Sequence, residues 1–319
     1  MYKANKELAK LMQQIDVVIE VLDARMPAAS SNPLLHDMRK RHRKPCLHIL
    51  NKADLADPQC TRQWIQALNR QPGSLALANG KDALLSTQLV VGACERLIAE
   101  ISRPAVAADT SDGDQPASNP NPQEPGRQRR YHAVIAGIPN VGKSTLLNQV
   151  LGRKIAKTGN EPAVTKQQQR VRLTDRWFLF DTPGVLWPRQ DDQDAALLLA
   201  TAGAIRNTAI VFEDVGLDAA EFLLREFPDA LRTRYGIDPL PETAEAFMTE
   251  LAARRGCRGR YGGVDWHKVA EILLHDYREG RLGRMTLETP PTSPSSSDSP
   301  EQAPSHDSTA AQAGHKPTD

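Results

Sequence analysis

Gly137-Ile-Pro-Asn-Val-Gly-Lys-Ser-Thr145 follows directly on the apolar, β-branched run Tyr131-His-Ala-Val-Ile-Ala136. The nine residues have the spacing G-x-x-x-x-G-K-[ST]. Two glycines at that spacing let successive backbone N–H groups curl around phosphate oxygens. Lys143 brings positive charge to β- and γ-phosphates, and the Ser144 hydroxyl can ligate Mg²⁺. Chance alone produces this pattern in about one chain in a hundred of this length. Here the strand that must precede it and the helix that must follow it, Lys143 to Leu151, are both legible. Asn140, Val141, Gly142 and Thr145 complete a phosphate loop at the end of a buried strand, and the fold class is α/β.

Working outward, Asp181-Thr-Pro-Gly184 closes the apolar run Trp177-Phe-Leu-Phe180. An aspartate at a strand end can hold Mg²⁺ through water, with the Gly184 N–H facing the γ-phosphate. Asp-x-x-Gly carries no weight by itself. Its position after a strand and downstream of the phosphate loop gives it weight. Between the two lies Thr165, in a loop flanked by Lys and Gln. It is the candidate switch threonine closing on Mg²⁺ and the γ-phosphate. Lys143, Thr165 and Gly184 are therefore the expected catalytic groups.

Far upstream, Asn51-Lys-Ala-Asp54 follows the strand-like run Pro45-Cys-Leu-His-Ile-Leu50. A carboxylate at Asp54 can accept both the N1–H and the N2–H₂ donors of guanine. Adenine would leave it unpaired, and such a mismatch discriminates strongly. Asn51 is expected to brace this loop and Lys52 to lay its stem along the base. The nucleotide is thus GTP. The segment Ala76-Leu-Ala-Asn-Gly80 is expected to close over the base. In an ordinary GTPase the base-reading motif comes after the phosphate loop, and here it comes before it. The chain has the order of a circular permutation, which close-lying termini make tolerable.

Residues 104–125 hold five prolines and residues 286–319 hold six, of 23 in the 319-residue chain. Both stretches are rich in Ser, Asp, Gln and Ala, and too poor in apolar residues to offset chain entropy. Residues 103–128 are read as a disordered bridge joining the old ends. Lengthening such a bridge is cheap, at about 0.6 kcal/mol per doubling. The division is then a permuted GTPase domain over 1–190 with the linker 103–128 inserted, a smaller all-helical domain over 191–288, and a disordered tail over 289–319. Strands are expected near 16–23, 45–50, 131–137, 169–173 and 176–181, and helices over 58–70, 84–101 and 143–151.

Lys and Arg number 40 against 39 acids, a formal net charge of +1, which excludes a polycation but not a local basic patch. Aromatics at 5% argue against a stacking platform for single strands. No apolar run is long enough to span a bilayer, so a cytoplasmic protein is expected. Cys46, Cys60, Cys94 and Cys257 stand far apart without a Cys-x-x-Cys pair. Neither a disulfide framework nor a zinc site is expected.

The chain resembles the circularly permuted GTPases of the ribosome biogenesis GTPase A (RbgA/YlqF) family, from about residue 1 to 288 without the linker. Beyond the nucleotide motifs, the likeness rests on Asp23-Ala-Arg-Met-Pro-Ala-Ala-Ser-Ser-Asn-Pro33 and Asp181-Thr-Pro-Gly-Val-Leu-Trp-Pro188. It extends to Arg254-Arg-Gly-Cys257, Asp276-Tyr-Arg278 and Gly280-Arg-Leu-Gly-Arg284. The resemblance implies binding to the pre-50S particle and its rRNA, large-subunit maturation, and hydrolysis stimulated by that particle, with a monomer away from the ribosome. Asn140 resembles an asparagine that ligates potassium in cation-activated relatives. Val185 stands where many GTPases carry a water-orienting glutamine, so hydrolysis by the chain alone is expected to be slow. Relatives carry a Phe-Pro-Gly-His stretch just before the position of Met1. No histidine here takes its role by motif, and the general base is unassigned.

Residues 251–284 carry eight Arg or Lys (Arg254, Arg255, Arg258, Arg260, Lys268, Arg278, Arg281, Arg284) against four acids. They flank a helix that Asp265 can cap, and they are the RNA-binding candidates. A second basic run is Arg39-Lys-Arg-His-Arg-Lys44. The rival to a GTPase assembly factor is a nucleotide-gated RNA-binding module with negligible turnover. A P-loop small-molecule kinase is disfavoured by the guanine-reading loop.

Overall fold

A computed structural model of the chain describes residues 9–102, 129–153, 169–182, 193–205, 211–259 and 262–291. Outside the described residues lie the linker 103–128, the boundary at 190/191 and the tail from residue 292, together with Thr165, Gly184, Val185 and Arg260. Six strands form one sheet: β1 (Val17–Asp23), β2 (Cys46–Asn51), β3 (Ser74–Ala78), β4 (Tyr131–Ala136), β5 (Gln169–Arg172) and β6 (Trp177–Asp181). Their order is β3-β2-β1-β4-β6-β5. All neighbours are parallel except β5, which runs antiparallel to β6 at the edge.

That order is the permutation written in space. The chain starts at the centre with β1, builds outward through β2 to β3, then returns to the centre at β4 and builds outward the other way. The reversal between β1 and β4 is a topological switch point, where the loops after the strands diverge and leave a crevice. All seven residues of β1 and all six of β2 are buried, as parallel strands covered on both faces must be.

Helices cover both faces. The first half supplies α1 (Pro27–Ser30), α2 (Pro33–Arg41), α3 (Pro58–Asn69) and α4 (Thr87–Ser102). Asn32 caps α2 by accepting from Leu34 N and Leu35 N, and Asp57 caps α3 by accepting from Cys60 N. Each cap is followed by proline at the first helical position, where a missing N–H costs nothing. After β4 comes α5 (Lys143–Leu151), and beyond β6 the chain is helical: α6 (Gln193–Thr201), α7 (Phe212–Glu226), α8 (Pro228–Tyr235), α9 (Ala244–Arg255) and α10 (Trp266–Arg278). Asp265 caps α10 through Lys268 N, and Val269, Ala270, Leu273 and Tyr277 are buried on its inner face. Among the described residues no helix is long and apolar enough to cross a membrane.

One expectation changes. Ala76–Ala78 belongs to β3, paired along β2 from Cys46↔Ser74 to Leu50↔Ala78, so only Asn79 and Gly80 remain as loop. Ala and Leu favour helix, but pairing beside a buried strand outweighs so weak a preference.

The helical region is fastened to the sheet by a buried cation. Arg25 is 1% exposed and forks onto Asp23 at 3.0 Å (Nε to Oδ1) and 2.9 Å (Nη2 to Oδ2). Its Nη1 donates to the Tyr277 carbonyl at 3.2 Å, and its guanidinium lies 4.6 Å from the Tyr277 ring centroid. The chain after α10 then straps back across the first half. Met285 N donates to Leu55 O, Leu287 N donates to Arg25 O, and the Glu288 carboxylate accepts from Ala28 N and Ala29 N. Residues 285–288 therefore bridge the helical region to the first half of the chain.

Burial opposes ionisation of Asp23, but Arg25 and then Lys52 outweigh it and hold the carboxyl well below the usual range. A depressed carboxylate pKa contributes stability that is present above the ordinary aspartate pKa and is lost as pH falls through the native one. Arg25→Met leaves that carboxylate buried without its fork. Urea denaturation at neutral pH is expected to show a loss of about 3–5 kcal/mol. As pH falls, the variant's buried carboxyl protonates before the wild type's, so the gap should be widest near neutrality and narrow toward acid; a gap that closes near neutrality would contradict the assignment.

Candidate functional site

Every candidate nucleotide residue within the described structure stands at the carboxyl edge of the sheet, around the switch point. Asp23 ends β1, Asn51 ends β2, Asn79 follows β3, the phosphate loop follows β4, and Asp181 ends β6. The loop turns through two left-handed residues, Asn140 at φ 59° and Gly142 at φ 94°, before α5 begins at Lys143. The helix N-terminus thus points its unpaired N–H groups at the crevice, with Ser144 and Thr145 in its first turn. Lys143 is buried, and its ammonium donates to the loop's own carbonyls, Gly137 O at 3.0 Å and Ile138 O at 2.6 Å. Burial pushes its pKa down to about 8, against the opposing pull of Asp181.

The base-reading loop is clasped to the phosphate loop. Asn51 Nδ2 donates to Val141 O at 2.6 Å, and Asn51 Oδ1 accepts from Asn79 Nδ2 at 2.7 Å. Asn79 Oδ1 in turn accepts from Gln149 Nε2 of α5 at 2.9 Å. Three asparagine and glutamine amides thus join the ends of β2 and β3 to the phosphate loop and its helix. A Cβ at residue 142 would lie 2.3 Å from Asn51 Nδ2, so the second glycine of the phosphate loop is required by the clasp as well as by its φ. Asn79 and Gln149 escaped the sequence reading. Asn79 stood within an expected base-closing segment, but its partners are 28 and 70 residues away.

Asp54 lies in a 3₁₀ turn (Ala53–Leu55) directly after the clasp, with its side chain 12% exposed. Its Oδ1 accepts from Lys81 N at 3.2 Å. Gly80 abuts it so closely that a Cβ there would fall 2.6 Å from Asp54 N. The loop after β3 therefore lies on the base-reading turn. Lys52, held at φ 60°, directs its ammonium to Asp23 Oδ2 at 2.9 Å. The residue expected to lie along the base is thus anchored to the same carboxylate that holds Arg25.

Asp181 is buried, yet neither carboxylate oxygen has a hydrogen-bond partner among the described residues. Burial raises its pKa, opposed by Lys143. A carboxylate at the edge of a phosphate site with both oxygens unpartnered fits a hard divalent cation such as Mg²⁺, which takes oxygen ligands.

Among the basic candidates, Arg278 departs from expectation. Its guanidinium is half-buried and donates to Thr201 O at 2.8 Å and Ala200 O at 2.9 Å, capping the end of α6, so it is a structural arginine and not a surface contact. Arg254 is held by Glu250 and Gly236 O, Arg281 by Asp276, and Arg284 by Asp82. Arg255, Arg258 and Lys268 are exposed and pair with no acid among the described residues. In the second run Arg39 is buried and donates to Ser74 Oγ at 3.0 Å, which removes it from the surface.

A parallel sheet with a phosphate loop at its switch point, clasped through Asn51 to a turn from the other half of the chain, defines a circularly permuted P-loop GTPase. A family model described as a 50S ribosome-binding GTPase matches residues 132–227. Ribosome biogenesis GTPase A of Bacillus cereus is 38% identical over 290 residues, covering 91% of this chain and 92% of that protein. Its counterpart in Priestia megaterium is 36% identical, with 91% and 94% covered. The crystal structure of GNP-bound YlqF from T. maritima matches with a TM-score of 0.58 at 22% identity, over 90% of this chain and 98% of that one. The chain belongs to the ribosome biogenesis GTPase A family, and its reaction is hydrolysis of GTP to GDP and phosphate.

If Asp181 is kept for a cation, it destabilises the protein without one. Asp181→Leu is expected to raise stability in metal-free buffer by about 1–3 kcal/mol, the cost of an unpaired buried polar group. It should also abolish the Mg²⁺-dependent tightening of GTP binding. Calorimetry and nucleotide titration check the two halves, and a variant that is less stable and still Mg²⁺-responsive would contradict the role.

Proposed function

We propose that the chain is an assembly factor for the large (50S) ribosomal subunit, whose slow intrinsic GTPase is accelerated by the pre-ribosomal particle. The observation that carries the link from nucleotide to partner is the contact between Asn140 and the helical region. Asn140 Nδ2, inside the phosphate loop, donates to Gly203 O just beyond α6 at 2.6 Å. Any rearrangement of that loop around a γ-phosphate bears on the helical region that carries Arg255, Arg258 and Lys268. Phosphate contact by those three residues, with Arg260 beside them in sequence, suits rRNA.

In the proposed reaction the phosphate-loop amides and Lys143 bind and charge-balance the phosphates, with catalysis arising from positioning and electrostatic stabilisation. Leaving Gly137 O and Ile138 O for phosphate oxygens returns Lys143 to a strong anionic partner and keeps it charged. Asp181, Ser144 and Thr165 would hold Mg²⁺, which neutralises charge between the β- and γ-phosphates. Gly184 would donate its N–H to the γ-phosphate. Val185 offers no group to orient water, which is why the partner is needed. Potassium at Asn140 belongs to the same reading, and equal turnover in potassium and sodium buffers would remove it. A monomer working in the cytoplasm fits this cycle.

Single-turnover GTP hydrolysis, measured for the chain alone and with purified large subunits, tests the proposal. Stimulation of at least about tenfold is expected, lost as salt is raised. Replacing Arg258 or Lys268 with glutamate should weaken subunit binding and flatten its salt dependence. Rates that are equal with and without subunits would overturn the proposal, and so would salt-insensitive binding.

A further inference from the structure

Glu20, Cys46 and His48 form a second constellation, on the face of the sheet opposite the main core. Glu20 on β1 is in register with His48 on β2, and Cys46 lies one pleat back on the same strand and face. They are 2%, 0% and 3% exposed. Helical residues Leu11 and Met12, together with Leu35 of α2, cover the cluster. None of the three touches the nucleotide residues, and the GTPase reaction uses none of them.

His48 Nδ1 lies 3.2 Å from Glu20 Oε2 and 3.9 Å from Cys46 Sγ, and the three donor atoms lie within 4.8 Å of one another. A tetrahedral Zn²⁺ with bonds of about 2.0 Å to N and O and about 2.3 Å to S sets those first two edges at about 3.3 and 3.6 Å. The other carboxylate oxygen, Oε1, already accepts from Asn32 N at 3.0 Å and Ser31 Oγ at 3.3 Å, which fixes the carboxylate with Oε2 turned to the cluster. Such outer-shell bonds are what orient a ligating carboxylate. His48 Nε2 is buried without a partner among the described residues, where the ring's polar contacts all lie on the Nδ1 side. Left as a carboxylate–imidazole pair, the cluster keeps charge in an apolar layer, where such a pair contributes little.

We propose that Glu20, Cys46 and His48 bind one Zn²⁺ ion, structural in role, that ties β1 to β2 and to the Ser31-Asn32 turn. Binding displaces the Cys46 thiol proton and the His48 Nδ1 proton. The ion, one thiolate, one carboxylate and a neutral imidazole then sum to zero charge, which suits an apolar layer. The fourth tetrahedral position is left to water. A thiolate and an imidazole select Zn²⁺ over Mg²⁺, whose ligands are oxygens. The cysteine spacing alone pointed away from zinc, because the ligand set is a Cys-x-His pair completed by a carboxylate from the adjacent strand.

The full chain, stripped with chelator and saturated with Mg²⁺ and GDP, is titrated with Co²⁺ and followed by optical absorption. One equivalent is expected to produce a sulfur-to-cobalt charge-transfer band and intense tetrahedral ligand-field bands, both bleached by Zn²⁺. Cys46→Ser should lose the charge-transfer band, Cys60→Ser should keep it, and His48→Gln should weaken binding at least about tenfold. The absence of a thiolate band at stoichiometric metal would leave a Glu20–His48 ion pair only and overturn the site. Survival of the band in Cys46→Ser would do the same. Should Cys46→Ser fail to fold, His48→Gln decides by itself, and unchanged affinity there overturns the proposal.

Discussion

The hydrogen bond from Asn51 to the Val141 carbonyl is the constraint on which the nucleotide site depends. Permutation places the loop that reads the base and the loop that cradles the phosphates in different halves of the chain, with residues 103–128 between them. A nucleotide spans both, so their spacing has to be fixed by something other than chain continuity. The parallel pairing of β1 with β4 sets it coarsely. The Asn51 amide sets it finely, by lying where a Cβ at Gly142 would be. One invariant of the phosphate-loop pattern thus serves two purposes, and Asn79 and Gln149 extend the brace into α5.

The same edge of the sheet carries the attachment of the helices. Asp23 receives Lys52 from the base-reading turn and Arg25 from its own loop, and Arg25 reaches the backbone and ring of Tyr277. On the opposite side Asn140 reaches Gly203. The helical region is therefore held next to the base and next to the phosphates, besides the strap of residues 285–288. A buried ion cluster is a poor source of stability, and its worth here lies in fixing geometry. This gives the Asp-Ala-Arg-x-Pro stretch a physical reason: Asp23 and Arg25 pair, Pro27 opens α1, Ser30 accepts from Asp23 N, and Asn32 caps α2.

Much of this was legible in the sequence because it is local. The strand before the phosphate loop, the helix after it and the hairpin ending in Asp181 announce themselves through short apolar runs and turn residues. The order of the motifs gives the permutation without coordinates. β3 was not legible, because Ser-Leu-Ala-Leu-Ala has no β-branched residue and becomes a strand only beside β2. Nor were the partners of charge. Arg278 and Arg39 read as surface cations, yet each is drawn inward to oxygens from distant segments. A count of basic residues cannot see those acceptors, so the surface patch is narrower than composition suggests. Asn79 and Arg25 were hidden for the same reason, since their roles are made by partners far along the chain.

We propose that Asp54 in one half of the chain reads guanine while the other half holds the phosphates. Exchanging that carboxylate for a carboxamide tests it most directly, by titrating GTP and xanthosine triphosphate against wild type and Asp54→Asn. Asparagine can donate where guanine's N2 amino group would need an acceptor, and xanthine carries an oxygen there. The expected result is a loss of GTP affinity of at least about a hundredfold, on the scale of a buried polar mismatch, with xanthosine triphosphate becoming the tighter ligand. An Asp54→Asn protein that still prefers GTP would contradict the account.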